Sequence, residues 1–237
     1  MHFHLPKPLH GWREFVGEVG IIVVGVLIAL GAEQAVETYH WQTKVSEART
    51  QLRHEVGNDL ALFDDRISQQ QCVTRRINEL AVIVTEASAT GHLPPLGPIS
   101  GPGSYTYPTS VWESHIAAET MTHFPAEQTA AISRAYRFIG LARESSREEE
   151  QAWLMLKTMV GPGRPIDPAS ISRLVEALEV ARAKNFELKF LKETIFRVLV
   201  KGGLGSDFPE VDPRNPPIIG KGKQLICEAI GKPPETY

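Results

Sequence analysis

The chain has 237 residues and a mass of 26.2 kDa, enough for one domain, or one long element plus a domain, without obligatory staples. Hydrophobic residues make up 42%, charged residues 22% and aromatic residues 8%, which excludes collagen-like, disordered and polytopic membrane chains. A net charge of −3 leaves no electrostatic footprint for a nucleic acid, so none is expected as a partner.

The first element is the most distinctive. Residues 15–32, FVGEVGIIVVGVLIALGA, hold a single charge, Glu18. A helix of that length spans roughly 27 Å, close to the ~30 Å hydrocarbon core of a bilayer. The pattern predicts a transmembrane helix over residues 15–36, preceded by a short tail, 1–14. Trp12 lies just before the run and Tyr39 and Trp41 just after it. From Trp12 to Trp41 a helix covers roughly 43 Å, the separation of the two headgroup layers in which Trp and Tyr sit, so these three are the expected interface anchors. A secretory signal cleaved near Ala32 or Ala35, and a buried soluble helix, are the rival readings. After Leu30 the sequence GAEQAVETYHWQTKVSEAR stays helix-forming without a break, which favours an uncleaved span and the lipid bilayer as its partner.

Lys7 and Arg13 precede the run, with His2, His4 and His10 nearby, whereas the first Lys or Arg after it is Lys44. By the positive-inside rule the N-terminus lies in the cytoplasm and residues 37–237 lie outside, which in a bacterium means an inner-membrane anchor with a periplasmic domain. At 100° per residue Glu18, Gly25, Ala29, Ala32 and Glu33 share one face of the span. Gly25 and Ala29 stand at the small-x-x-x-small spacing that lets membrane helices approach closely. The face is a candidate contact surface for another helix. The plainer alternative is a lipid-facing helix whose carboxylates reach the interface.

The segment GWREFVGEVGIIVVGVLIALGAEQAVE resembles the N-terminal signature of a group of uncharacterised bacterial single-pass membrane proteins, with the pattern F-x-x-E-x-x-I-V-V-x-G-V-L-I-A-L. The match rests on Phe15, Glu18, residues 21–24 and residues 25–30, and covers about thirty residues of the chain. Gly31, Ala32 and Glu33 depart from the Gln and Asn that often follow in that group. The resemblance implies an anchor layout and no activity.

Beyond the span, apolar residues keep a helical period at Val45, Ala48, Leu52, Val56, Leu60, Phe63 and Ile67, and again at Ile77, Leu80, Ala81 and Val84. With no Pro and only Gly57 in this stretch, a continuous stalk bent near Gly57 is expected. Residues 91–110, GHLPPLGPISGPGSYTYPTS, form a Pro/Gly-rich loop. Residues 111–124 read as one short helix ended by Pro125. The next helix carries Ile132, Ala135, Ile139 and Ala142, then Trp153, Leu156 and Val160, with ARESSREEE between them read as a solvated turn or a break. A third helix is bordered by Asp167 as N-cap, Pro168 at its first position and Gly202 and Gly203 at its end. Residues 202–237 form an irregular tail with a short helical piece at LICEAIG. The whole reads as all-α, an N-terminal transmembrane helix continuing into an antiparallel helical bundle.

Cys72 and Cys227 make an even pair, and an exported domain permits a disulfide between them; two buried reduced thiols are the alternative. His115, Glu119 and His123 stand at i, i+4 and i+8 on the expected short helix, too far apart end to end to bind one ion, so a surface face is expected and no metal is assigned. The aromatics Trp112, Tyr136, Phe138 and Trp153 fit a bundle core. No phosphate loop, dinucleotide fingerprint, nucleophile elbow or zinc-protease motif occurs, and no cofactor or catalytic residue is assigned. The pattern points to a non-catalytic scaffold or interaction subunit that docks onto membrane proteins or onto copies of itself. The alternative is a ligand sensor on a single anchor.

Overall fold

The computed structural model describes residues 11–205 and 222–231. The expectations for His2, His4, Lys7 and His10, and for most of the irregular tail, fall outside them. The chain divides into two compact units, Met1–Ala48 and Arg49–Tyr237. One helix, α1 (Trp12–Ser68), carries the chain from the first unit into the second.

In the first unit α1 is regular. Thr38 and Thr43 return their hydroxyls to the carbonyls of Gln34 and Tyr39, and the Lys44 ammonium lies 4.8 Å from the centre of the Trp41 ring. Its apolar side chains over residues 15–36, including Ile21, Leu27 and Val36, are exposed.

In the second unit, helix α2 (Gln70–Thr90) follows after one residue. The interruption is at Gln69 and not at Gly57. There the Ser68 hydroxyl and the Gln69 side-chain amide both turn back to the Asp65 carbonyl, and the Gln69 N–H shifts to the Arg66 carbonyl, three residues back. Local side-chain donors thus take the acceptor that the helix ladder needs. Helix α2 ends at Gly91, whose φ of 69° lets its N–H reach the Ala87 carbonyl. Two residues, β1 (His92–Leu93), then pair antiparallel with β2 (Arg164–Pro165), and Leu96 bridges Gly161.

Helix α3 (Ser110–Ala117) is shorter than its sequence suggests. Glu119 adopts φ 57°, the one positive φ of a non-glycine residue among the described residues, and a 3-10 turn covers Thr120–His123. Helix α4 (Ala126–Lys157) then runs unbroken through ARESSREEE, because Ser145, Ser146 and Glu149 face inward and are buried. Helix α5 (Pro168–Lys201) has the borders its sequence demands: Asp167 accepts the Ser170 N–H at 2.9 Å, and Gly202 closes the far end. A methyl group on Gly202 would sit 2.3 Å from the Ala131 Cβ, so α4 and α5 meet there at a distance only glycine permits. Helix α6 (Gly222–Cys227) is the last element.

The direction of each helix follows from its contacts. Arg49, Glu55 and Arg66 of α1 meet Gln128, Tyr136 and Glu149 of α4 in increasing order, so these helices run parallel. Helix α5 runs against both: Asp64 meets Lys192 and Arg66 meets Asn185, while Ala131 of α4 lies against Gly202. The return stroke between α2 and α4 is therefore made by the Pro/Gly-rich loop and α3, not by a helix. Leu93, Leu96, Ile99 and Tyr107 bury themselves along the way. At one end of the unit the core joins Val73, Ile77, Leu80 and Val84 of α2 to Trp153 and Leu156 of α4, Leu174 and Leu178 of α5, and Ile226 of α6. Burying such side chains contributes roughly 1.5–3 kcal/mol each before entropy is counted.

Candidate functional site

Three features of the described residues bear on function. The first is the amino-terminal part of α1. It is long and apolar enough to cross a membrane, and none of its most apolar eighteen-residue window is buried. Glu18, Gly25, Ala29, Ala32 and Glu33 are all exposed on it, and a Cβ built on Gly25 meets nothing within 4 Å. Trp12 and Tyr39 are exposed near its two ends, and Trp41 is half-buried beneath Lys44. In water this much exposed Val, Ile and Leu on one helix carries a large hydration cost, which a lipid environment removes.

The second feature is covalent. Cys72 of α2 and Cys227 of α6, separated by 155 in sequence, form a disulfide with their Cα atoms 4.9 Å apart. Around it, Arg75 donates to the Cys227 carbonyl at 2.6 Å, Arg76 donates to the Glu228 carbonyl, and the Gly97 N–H donates to the Gly231 carbonyl at 3.1 Å. The carboxy-terminal piece is thus joined to α2 by a bond and to the loop by its backbone.

The third feature is a buried polar layer where α1, α4, α5 and the 91–109 loop converge. Arg66 is 1% exposed. Its guanidinium donates from Nε to Glu149 Oε2 at 3.0 Å, from Nη2 to Glu149 Oε1, and from Nη2 to Asn185 Oδ1 at 3.0 Å. Asn185 in turn donates to the Thr74 hydroxyl at 2.9 Å and to the Gln70 carbonyl at 3.3 Å. Tyr105 donates to Asp65 at 2.6 Å; burial, and then the Asp65 carboxylate, hold its phenol above the ordinary value. The Tyr107 ring stacks on Phe63 at 4.4 Å.

About three turns nearer the start of α1, Glu55 fastens α3. Its carboxylate accepts from the Val111 N–H at 2.9 Å, the Trp112 N–H at 3.2 Å, the Tyr136 hydroxyl at 2.7 Å and the Ser110 hydroxyl at 3.4 Å. It supplies the negative charge that the free N–H groups of a helix start require. The Trp112 and Tyr136 rings stack at 4.9 Å beside it. Burial, and then Glu55, push the Tyr136 phenol far up, so it stays a donor. Arg143 reaches from α4 to the Tyr107 carbonyl at 2.8 Å and to the Thr109 hydroxyl at 2.6 Å, holding the end of the loop.

The histidine pattern separates in the structure. His115 stands on α3 against Gln51 Oε1 at 3.0 Å, and burial holds its imidazole below the ordinary value. Glu119 lies beyond the end of α3 and His123 in the 3-10 turn, so the three no longer share one helix face. Among the described residues no three His, Cys, Asp or Glu side chains are placed to hold a metal ion.

Glu55, Asp59, Arg66, Glu149 and Asn185 were not singled out by sequence reasoning. The signal was present in α1: Leu52, Glu55, Asp59, Phe63 and Arg66 recur at three or four, so the charged residues stand on the apolar stripe itself. Glu149 was assigned to a solvated stretch, and its partner on another helix corrects that assignment.

Fold and site together define an all-α protein with one exposed apolar amino-terminal helix and a disulfide-bonded helical unit. Searches with family models, against curated proteins and against solved structures find no match for the chain.

Proposed function

We propose that the chain is a single-pass, membrane-anchored interaction subunit without catalytic activity. In this reading residues 15–36 lie in a bacterial inner membrane, with the amino-terminal tail cytoplasmic and the bundle periplasmic. The exposed apolar run of α1 carries the reading, since its side chains have no protein partner in their own unit and match a bilayer in length. The Cys72–Cys227 bond supports the exported placement of the bundle, because disulfides persist in oxidising compartments. Three buried carboxylates, Glu55, Asp65 and Glu149, are each occupied in fastening one element to another, which supports a structural role for them. The partners that fit are other membrane subunits or further copies of the chain, reached through the Glu18, Gly25, Ala29, Ala32, Glu33 face and through the bundle.

Alkaline carbonate washing of membranes from cells producing the full chain tests the anchor. Retention in the pellet is expected for the intact chain, and release for a chain beginning at residue 37. Recovery of the intact chain in the supernatant would remove the basis of the proposal. Crosslinking in those membranes then tests docking, and a strictly monomeric chain that captures no partner would reject the subunit role.

An open groove of about 730 Å³ between α2 and α5, lined by Thr74, Arg75, Asn78, Glu79, Val82 and Phe186 among others, supports a ligand-sensing bundle as the second reading. Thermal shifts against a panel of periplasmic metabolites distinguish the two; silence across the panel counts against sensing.

A further inference from the structure

Two carboxylates stand one turn apart on α1 in the same buried layer, with opposite surroundings. Glu55 is 5% exposed and accepts four hydrogen bonds, three of them from the first turn of α3. Asp59 is 1% exposed, and neither of its carboxylate oxygens has a hydrogen-bond partner. Glu55 meets four donors where Asp59 meets none, and a buried carboxyl without a donor is stable only with its proton on. The groups that face Asp59 complete the arrangement. Glu55 on its own helix opposes a second negative charge, and Tyr107 from the loop and Tyr136 from α4 present phenols that burial holds neutral. Arg143 of α4 is the positive charge that acts on it, and that guanidinium is already spent on the Tyr107 carbonyl and the Thr109 hydroxyl.

We propose that Glu55, Asp59 and Arg143 form a proton-operated latch on the segment 107–117: with Asp59 protonated, Arg143 holds the loop end and Glu55 holds α3, and loss of the Asp59 proton draws Arg143 away and frees that segment. The step is a simple ionisation in which the proton goes to water and the charge stays on the Asp59 carboxylate. Its position on the pH scale follows from the surroundings. Burial first, then Glu55, push the Asp59 carboxyl up to about 8, with Arg143 pulling the other way. The folded pKa is raised, so the folded protein holds a proton that the unfolded chain releases near the ordinary carboxyl value. The stabilisation is complete below that value and is lost as pH rises through about 8. The inference concerns the second unit alone and does not depend on where the chain resides.

Hydrogen exchange by mass spectrometry, on the full chain in detergent micelles, tests it by comparing wild type with Asp59→Asn at each pH so that intrinsic exchange rates cancel. At about pH 4, the ordinary carboxyl value, the two should agree over 107–117. As pH rises from there towards about 8, wild type should exchange this segment progressively faster than Asp59→Asn, by up to roughly 30-fold over about 1.5 pH units, with α5 unchanged between the two. Arg143→Gln is the second variant: it should exchange 107–117 quickly at both pH values and lose the pH response. Wild type and Asp59→Asn tracking each other throughout would overturn the latch. So would loss of protection over α5 together with 107–117, or an Arg143→Gln protein that keeps the wild-type response.

Discussion

Replacing Arg66 by Met should lower the stability of the second unit by about 3–5 kcal/mol, the largest single-residue effect expected of this chain. Methionine fills much of the volume, so the loss is chiefly electrostatic. Glu149, its side chain 4% exposed, would be left inside the bundle with its strongest partner gone, and Asn185 would lose the donor that fixes its amide. The same physics predicts that Arg66→Met combined with Glu149→Leu recovers most of the loss, since a well-packed apolar pair is often as stable as the buried ion pair it replaces. A double-mutant cycle by urea unfolding in detergent checks both statements. A single variant within about 1 kcal/mol of wild type would mean that water reaches Glu149 and that the layer is not the tie it resembles.

That layer shows what could and could not be read in the sequence. Helix content was legible because apolar residues recur at three and four, and because Asp167, Pro168 and Gly202 mark the borders of α5 by side-chain and backbone chemistry local to each site. The exposed apolar run of α1 was legible for the same reason, since composition over eighteen residues needs no tertiary partner. Chain direction was not, because periodicity says which face is buried and nothing about the way a helix points. The loop stroke that makes α4 parallel to α1 was therefore missed. The stretch 91–110 reads as a loop; in the structure His92 and Leu93 pair as β1 and Ser110 opens α3, and Leu93, Leu96, Ile99 and Tyr107 sit in the core, where prolines leave the backbone extended and apolar side chains can still be buried.

The misplaced breaks have a common cause. A bend at Gly57 follows from propensity, yet α1 passes through Gly57, and the interruption falls at Gln69, where two side chains compete for one carbonyl. The helix through Glu119 follows from its residues, yet Glu119 sits at positive φ, because α3 ends before it and the chain turns into the 3-10 segment ahead of α4. In both places hydrogen bonds made outside the regular helix ladder outweigh a residue preference of about 1 kcal/mol or less. Glu55, Asp59 and Arg66 were hidden for a related reason: charged residues on an apolar stripe read as its solvent edge until the partners, Tyr136, Arg143 and Glu149, arrive from a helix some eighty residues away.

The disulfide sets the second large effect. Replacing both cysteines by alanine should destabilise the second unit by about 2–5 kcal/mol, and the chain-entropy model places a loop of this length at the upper end of that range. Most of the loss arises in the unfolded chain, because the folded contacts of the carboxy-terminal piece do not depend on the bond: Ile226 is buried in the core, Arg75 and Arg76 hold the Cys227 and Glu228 carbonyls, and Gly231 receives the Gly97 N–H. This origin has its own signature. Without the cross-link the unfolded chain expands and exposes more surface, so the urea m value should rise while the midpoint falls. Hydrogen exchange near Cys227 under native conditions should change little. Dithiothreitol added to wild type should reproduce the double-alanine transition, and mass spectrometry after alkylation should find no free thiol in protein taken directly from cells. Full alkylation of both cysteines without reductant, or identical transitions for wild type and the double variant, would show that the bond does not form in the cell and would remove the support it lends to an exported bundle.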